Sequence, residues 1–185
     1  MYSAADKQTL LDIARDSISY GLDHHRALPL VIEDYPPQLV IARATFVTLQ
    51  IAGDLRGCIG TLQAYRPLVE DVAKNAYAAA FRDPRFAALS AHEFAQLHYH
   101  ISILNPTEAL RVNNEAELLA QLRPGVDGLV LEDQHYRSTF LPAVWENLPQ
   151  PKQFVQHLKE KAGLPASYWS ETIRFERYTV EDIES

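Results

Sequence analysis

Residues 44–60 read ATFVTLQIAGDLRGCIG, and the reading of this stretch decides the fold. In its first half Val47, Leu49 and Ile51 fall on one side of an extended chain, with Phe46, Thr48 and Gln50 on the other. That period of two marks a strand with one buried face. Ala52, Gly53 and Asp54 supply the reversal, because Gly53 tolerates positive φ. On the return, Leu55, Gly57 and Ile59 share one face, while Arg56, Cys58 and Gly60 share the other. Alternation therefore predicts that the Arg56 guanidinium and the Cys58 thiol stand side by side. The whole is a β-hairpin, which makes antiparallel sheet.

Upstream, Ser3 and Asp6 form a variant capping box. Leu10, Leu11, Ile13, Ala14, Ser17 and Ile18 follow at helical spacing, with Gly21 as the expected stop. IEDYPP, residues 32–37, is expected to be irregular because Pro36 and Pro37 remove backbone donors. Downstream, residues 66–84 give the clearest helix, with Pro67 in its first turn, an apolar stripe of Leu68, Val72, Ala76 and Ala79 or Ala80, and Pro84 as its end. Ser90 and Glu93 form a second capping box. LHYHISIL, residues 97–104, alternates as a strand with Leu97, Tyr99, Ile101 and Ile103 inward, and NPTEAL follows as a loop.

A helix over residues 115–122, a hairpin turning at Asp133 and Gln134, a helical turn at 141–148, a helix over 153–162 stopped by Gly163, and a last strand in ETIRFERY complete the chain. Strands joined as hairpins define an α+β class, a mainly antiparallel sheet with flanking helices, rather than a doubly wound parallel sheet. No G-x-G-x-x-G or Walker loop precedes a helix. No repeat or long linker divides residues 1–185, which read as a single domain.

Composition narrows the function classes. The net charge is −7 and the 17 Lys and Arg are scattered, which argues against nucleic acid as a partner, since such binding rests on neutralising phosphates. The chain has one cysteine and so no internal disulfide. It has no apolar run near the roughly 20 residues of a membrane span, and its first residues lack a secretory pattern. A cytoplasmic protein is expected.

Within RGCIG, residues 56–60, a thiolate beside a guanidinium is a known route to a reactive cysteine. Gly57 and Gly60 would let a ligand approach the backbone. The same residues also fit a small buried cysteine in a tight strand. In FRDPRF, residues 81–86, Arg82 follows Asn75 by two helical turns, so Asn75, Arg82 and Arg85 form a candidate pocket for a carboxylate or phosphate. The alternative is a helix-end arginine paired with Asp83. His98 and His100 face one side of their strand, but no third ligand or H-E-x-x-H motif accompanies them, so no metal and no cofactor is indicated. A Cys–His arrangement would draw its base from His98, His100 or His135. Trp145 and Trp169 read as core or cleft-wall aromatics, and Lys161 as a charge at a helix C-terminus.

In order, TFVTL, LRGCIGTL, RPLVEDVAKNAYAAAFRDPRF, ISIL, GVDGLVL, FLPAVW and HLKEKAGLPASYW make the chain resemble the AMMECR family over roughly residues 6–181. Leu55, Arg56, Gly57, Cys58, Ile59 and Gly60 match the family motif without substitution. Asn75, Phe81, Asp83, Pro84, Arg85 and Phe86 match a second block, and Leu141, Pro142 and Trp145 a third. The sequence departs at Ala87, where prolines often follow the phenylalanine, and at Ala143, where glutamine is common. The resemblance implies a larger sheet-and-helix lobe and a smaller lobe, with the LRGCIG motif lining a cleft between them. Bacterial relatives of this kind are called protein A of the AmmeMemoRadiSam system, which implies a Memo-type protein and a radical SAM protein as partners.

The function so implied is that of an enzyme or enzyme component acting on a small anionic or aromatic metabolite, with Cys58 and Arg56 as catalytic candidates. Gly57, Gly60, Asn75, Arg82 and Arg85 are the candidate ligand contacts. A non-catalytic ligand-binding or adaptor subunit using the same surface is the alternative, and a nucleic-acid-linked regulator is disfavoured by the charge.

Overall fold

A computed structural model describes residues 1–185, beginning with α1 (Ala4–His24). Ser3 Oγ accepts the Asp6 amide and the Asp6 carboxylate accepts the Ser3 amide, the expected capping box. The stop expected at Gly21 does not occur. The helix runs on to His24 and is closed by His25 at φ 55°. Gly21 instead makes room for its neighbours, because a Cβ there would lie 2.7 Å from the Tyr77 ring and 2.8 Å from the Phe81 ring. Residues 32–37 are also more regular than expected. A 3₁₀ turn (Ile32–Asp34) precedes α2 (Pro37–Val40), since a proline in the first turn gives up only an N–H that has no helical partner.

The hairpin forms as read, from β1 (Thr45–Ile51) and β2 (Asp54–Gly60). Its turn places Ala52 at φ 51° and Gly53 at φ 87°, and two left-handed residues match the twist of the strands they join. Then come α3 (Leu68–Phe81), α4 (Ala91–Phe94) and β3 (Leu97–Leu104). The chain continues through β4 (Glu108–Leu110), where a loop was expected, α5 (Glu115–Gln121), β5 (Gly128–Asp133), β6 (Tyr136–Phe140), a 3₁₀ turn (Pro142–Glu146), α6 (Pro151–Lys161) and β7 (Arg174–Tyr178). It ends on β8 (Val180–Glu184), a strand the sequence reading lacks.

The chain divides into two compact units, residues 1–104 with 181–185, and residues 105–180. The first holds a four-stranded sheet in the order β2-β1-β3-β8, antiparallel throughout. β8 joins β3 through the Ser185 amide on the Tyr99 carbonyl. Its core gathers Leu10 and Ile18 of α1, Val69, Val72 and Ala76 of α3, and Val47, Leu49 and Ile101 of the sheet. The second unit holds an antiparallel sheet in the order β4-β7-β5-β6. Its core joins Leu118, Leu129, Leu131, Phe154 and Phe175 to Trp145, which stacks 3.8 Å from Phe154. Lys159, which the sequence reading passed over for Lys161, is fully buried there. Its ammonium meets the Glu115 carboxylate and the Ala166 carbonyl, and lies 5.7 Å from the Trp169 ring centre. Two antiparallel sheets with helices make the α+β class. No helix is long and apolar enough to cross a membrane.

Candidate functional site

Strand β2 is an edge strand whose two faces do different things. Gly57 faces inward, where a Cβ would lie 2.1 Å from the Ala79 carbonyl oxygen of α3. Cys58 therefore faces outward, opposite Thr48 of β1. Its amide points away from β1, to Asp83 Oδ2 at 2.9 Å. This makes Thr48 and Cys58 a non-hydrogen-bonded pair, the kind in which side chains stand closest. The Thr48 hydroxyl accordingly donates to Cys58 Sγ at 3.2 Å.

FRDPRF supplies what a further strand would have supplied to Cys58. Asp83 accepts its N–H, and Arg85 Nη2 donates to its carbonyl at 3.4 Å. The Asp83 carboxylate is buried and also accepts from the Arg85 amide, Nε and Nη2, at 3.1, 3.0 and 2.7 Å. The hydrogen bonds from Arg85 hold its carboxyl well below the usual carboxylate range, with the Cys58 amide adding to the effect against burial. Arg85 pairs with Asp83, while Arg82 caps α3 with its side chain exposed.

Arg56 leaves the position that alternation gives it. Leu49 pairs with Gly57 but Gln50 pairs with Leu55, so Arg56 sits in a β-bulge opposite no residue of β1. Its guanidinium grips Glu93 of α4 through Nε at 2.7 Å and Nη2 at 3.2 Å, and donates to the Ala87 carbonyl at 3.0 Å. Arg56, foremost, holds the Glu93 carboxyl down at about 2. Arg56 Nη1 is buried without a hydrogen-bond partner. The Phe86 ring lies 5.6 Å from the Arg56 guanidinium and 5.5 Å from that of Arg85, so cation–π attraction carries part of the stabilisation.

Asn75 stands apart from Arg82 and Arg85. It is buried, donates to the Thr45 carbonyl, the Thr45 hydroxyl and Asp71, and accepts from Arg66. Asp71 at the centre of that network also binds the Thr45 amide and the Thr61 hydroxyl, so the network ties β1, the end of β2 and α3 together. Gly60 lies under the Phe46 ring, 2.3 Å from where its Cβ would be. The structure thus gathers Arg56, Gly57, Cys58 and Arg85 around one strand and leaves Asn75 and Arg82 outside that group.

The outer face extends beyond the hairpin. Thr48 pairs with Cys58 on one side and with His100 of β3 on the other. His100 Nε2 lies 2.8 Å from Asp182 Oδ1 of β8, which also accepts from the Ser102 hydroxyl at 2.6 Å. Burial opposes ionisation of Asp182, and the bonds from His100 and Ser102 outweigh it, so its pKa lies below the ordinary value. Thiol, hydroxyl and carboxylate-bound imidazole therefore occupy three adjacent strands, spanning about 10 Å from Cys58 to His100 at two strand spacings. Of the three histidines considered as bases, His98 is exposed on the same face and His135 lies at the β5–β6 turn of the second unit. The sequence placed Thr48 and His100 on their faces correctly. It carried no sign of Asp182, and Glu93 announced itself only as a helix cap.

Fold and site define an α+β protein of two antiparallel sheets with its single thiol on an edge strand braced by side chains. The AMMECR1 family model matches residues 11–183, and the chain belongs to that family. A protein of Methanocaldococcus jannaschii is 36% identical over 84% of this chain and 81% of its own length. One from Thermococcus gammatolerans is 33% identical over 100% of this chain and 93% of its own length. The crystal structure of an uncharacterized protein from Pyrococcus horikoshii matches with a TM-score of 0.88 and 31% identity, covering 95% of this chain and 89% of that one.

Proposed function

We propose that the chain is an enzyme, or a component of one, that acts on a small anionic or aromatic metabolite through the outer face of β2. The observation that carries this is the Thr48 hydroxyl donating to Cys58 Sγ, on the same face as the His100–Asp182 pair. The hydroxyl donor holds the sulfur in place on that face, where a ligand could reach it. Asp182 fixes the imidazole orientation, as a carboxylate does for an acid–base histidine. A molecule lying across Thr48 would meet the thiol at one end and the imidazole at the other. Arg85 is half exposed and engages Asp83 through Nε and Nη2, which leaves Nη1 to anchor an anionic group. Arg56, bound to Glu93, is a positioning residue that fixes the bulge. Work alongside a Memo-type protein and a radical SAM protein belongs to the same proposal and rests on the resemblance of the motifs.

Brief treatment of the native protein with limiting iodoacetamide at neutral pH, read by mass spectrometry, tests the reading. Cys58 is expected to label faster than glutathione thiol in the same tube, and Thr48→Val to slow it. Labelling only after denaturation, or no effect of Thr48→Val, would overturn a chemical role for the sulfur. The adaptor reading is favoured by one observation, that Leu55 at the start of the motif is 43% exposed. It requires Cys58→Ser to retain binding of the Memo-type or radical SAM protein and Arg56→Ala to weaken it.

A further inference from the structure

On the core side of the first sheet, α1, α4 and the start of β3 border a cavity of about 610 Å³ that is open to solvent, within the range of small-molecule sites. Its apolar wall is made by Leu11, Phe94 and Leu97, which lie partly buried against the core. Tyr99 reaches it from β3. The residue is 92% buried, being 8% exposed, and its hydroxyl has no hydrogen-bond partner. The ring is buried while the hydroxyl opens at the cavity wall rather than being sealed in the core, so it can donate to a ligand there. Burial raises the Tyr99 pKa to about 12, with Arg15 working against that, so the group stays a donor at any physiological pH. Arg15 of α1 lines the same cavity and forms no ion pair, although Asp12 lies one turn before it. Asp12 and Glu184 bring two side-chain carboxylates to the lining, beside Ser185 and Gln8, whose amide donates to Asp12 at 2.9 Å.

We infer that this cavity is a second binding site, for a small zwitterion of the amino-acid type with an apolar side chain. The carboxylate would accept from the Arg15 guanidinium and the Tyr99 hydroxyl. The ammonium would lie against Asp12 and Glu184, and the side chain against Leu11, Phe94 and Leu97. One cation set among two side-chain carboxylates disfavours a simple anion, and the Arg15 and Tyr99 donors disfavour a simple amine. The site lies on the opposite face of the sheet from Cys58, because Tyr99 pairs with inward-facing Leu49. It stands independently of the proposed thiol chemistry.

Calorimetric titration of the full chain with L-phenylalanine and L-leucine, beside 3-phenylpropionate and phenethylamine, tests this. At least one amino acid is expected to bind saturably, with the two single-charge analogues about tenfold weaker, the scale of one lost charged hydrogen bond. Arg15→Gln should weaken binding by about tenfold, Tyr99→Phe by several-fold, and Cys58→Ser not at all. Absence of saturable binding by both amino acids would overturn the inference. So would equal binding of the analogues, or amino-acid binding unchanged in Arg15→Gln. Arg15 is an exposed helix residue, so that variant tests the site without risk to the core.

Discussion

A methyl group added at Gly57 would stand 2.1 Å from the Ala79 carbonyl oxygen, closer than any backbone can tolerate without moving. At Gly53 it would meet nothing within 4 Å, and only the positive φ of 87° would resist it. The two glycines of one hairpin therefore predict different penalties. Gly53→Ala should cost about 1–2 kcal/mol, the strain of a left-handed alanine. Gly57→Ala should cost about 3 kcal/mol or more, as overpacking against a fixed helix backbone does. Urea unfolding of the two variants measures the difference, and equal losses would mean that β2 is not seated on α3. The inward direction of Gly57 was legible in the sequence, since simple alternation gives it. The fate of Arg56 was not, because a bulge is a one-residue departure from alternation, and the partner it serves, Glu93, is 37 residues away.

Strand β2 is held at its open edge by side chains rather than by another strand. Asp83 and Arg85 bind the backbone of Cys58, and Glu93 binds Arg56, so the order of this edge depends on two carboxylates staying ionised. Both have folded pKa values below their ordinary ones, Glu93 at about 2 and Asp83 well below the carboxylate range, each chiefly through its arginine. A depressed folded pKa means that protonation favours the unfolded chain. The stability these groups give is complete above about pH 4.5 and is lost as pH falls through that value toward the folded pKa. The urea midpoint should thus decline on acidification below about pH 4.5. Asp83→Asn and Glu93→Gln should each lower it near pH 7 and flatten the acid limb. Asp83→Asn should act more strongly, since its carboxyl side chain is 2% exposed while that of Glu93 is 31%; an acid limb unchanged from the parent protein in both variants would count against the bracing. Elements with local signals were readable in this region: the capping box at Ser90, the helix before Pro84 and the hairpin itself. The pairing that completes the sheet was not. β8 is VEDIE, too acidic to read as a strand, and it is ordered by β3 from 80 residues earlier in the chain.

The chain passes from β3 through the second unit before β8 returns to the first sheet, so Asp182 reaches His100 only after residues 105–180 have been traversed. The ends of that segment meet, with the Asn105 amide on the Thr179 carbonyl and the Asn105 side chain on the Thr179 hydroxyl at 2.8 Å. Between them lies a core of its own, and Trp145 is 4% exposed within it, donating its indole N–H to the Asp127 carbonyl. A continuous segment with adjoining ends and a private core has what a domain needs to fold by itself. Residues 105–180 expressed alone should unfold cooperatively in urea, with a stability of about 3–5 kcal/mol or less, the range open to so small a core. Both tryptophans of the chain, Trp145 and Trp169, lie in this segment, so tryptophan fluorescence follows the second unit in the full chain and in the fragment alike. Blue-shifted emission lost in one sigmoidal step is the expected result for the fragment. Red emission without a transition would mean that the second unit needs the first, and the two sheets would then have to be treated as one folding unit.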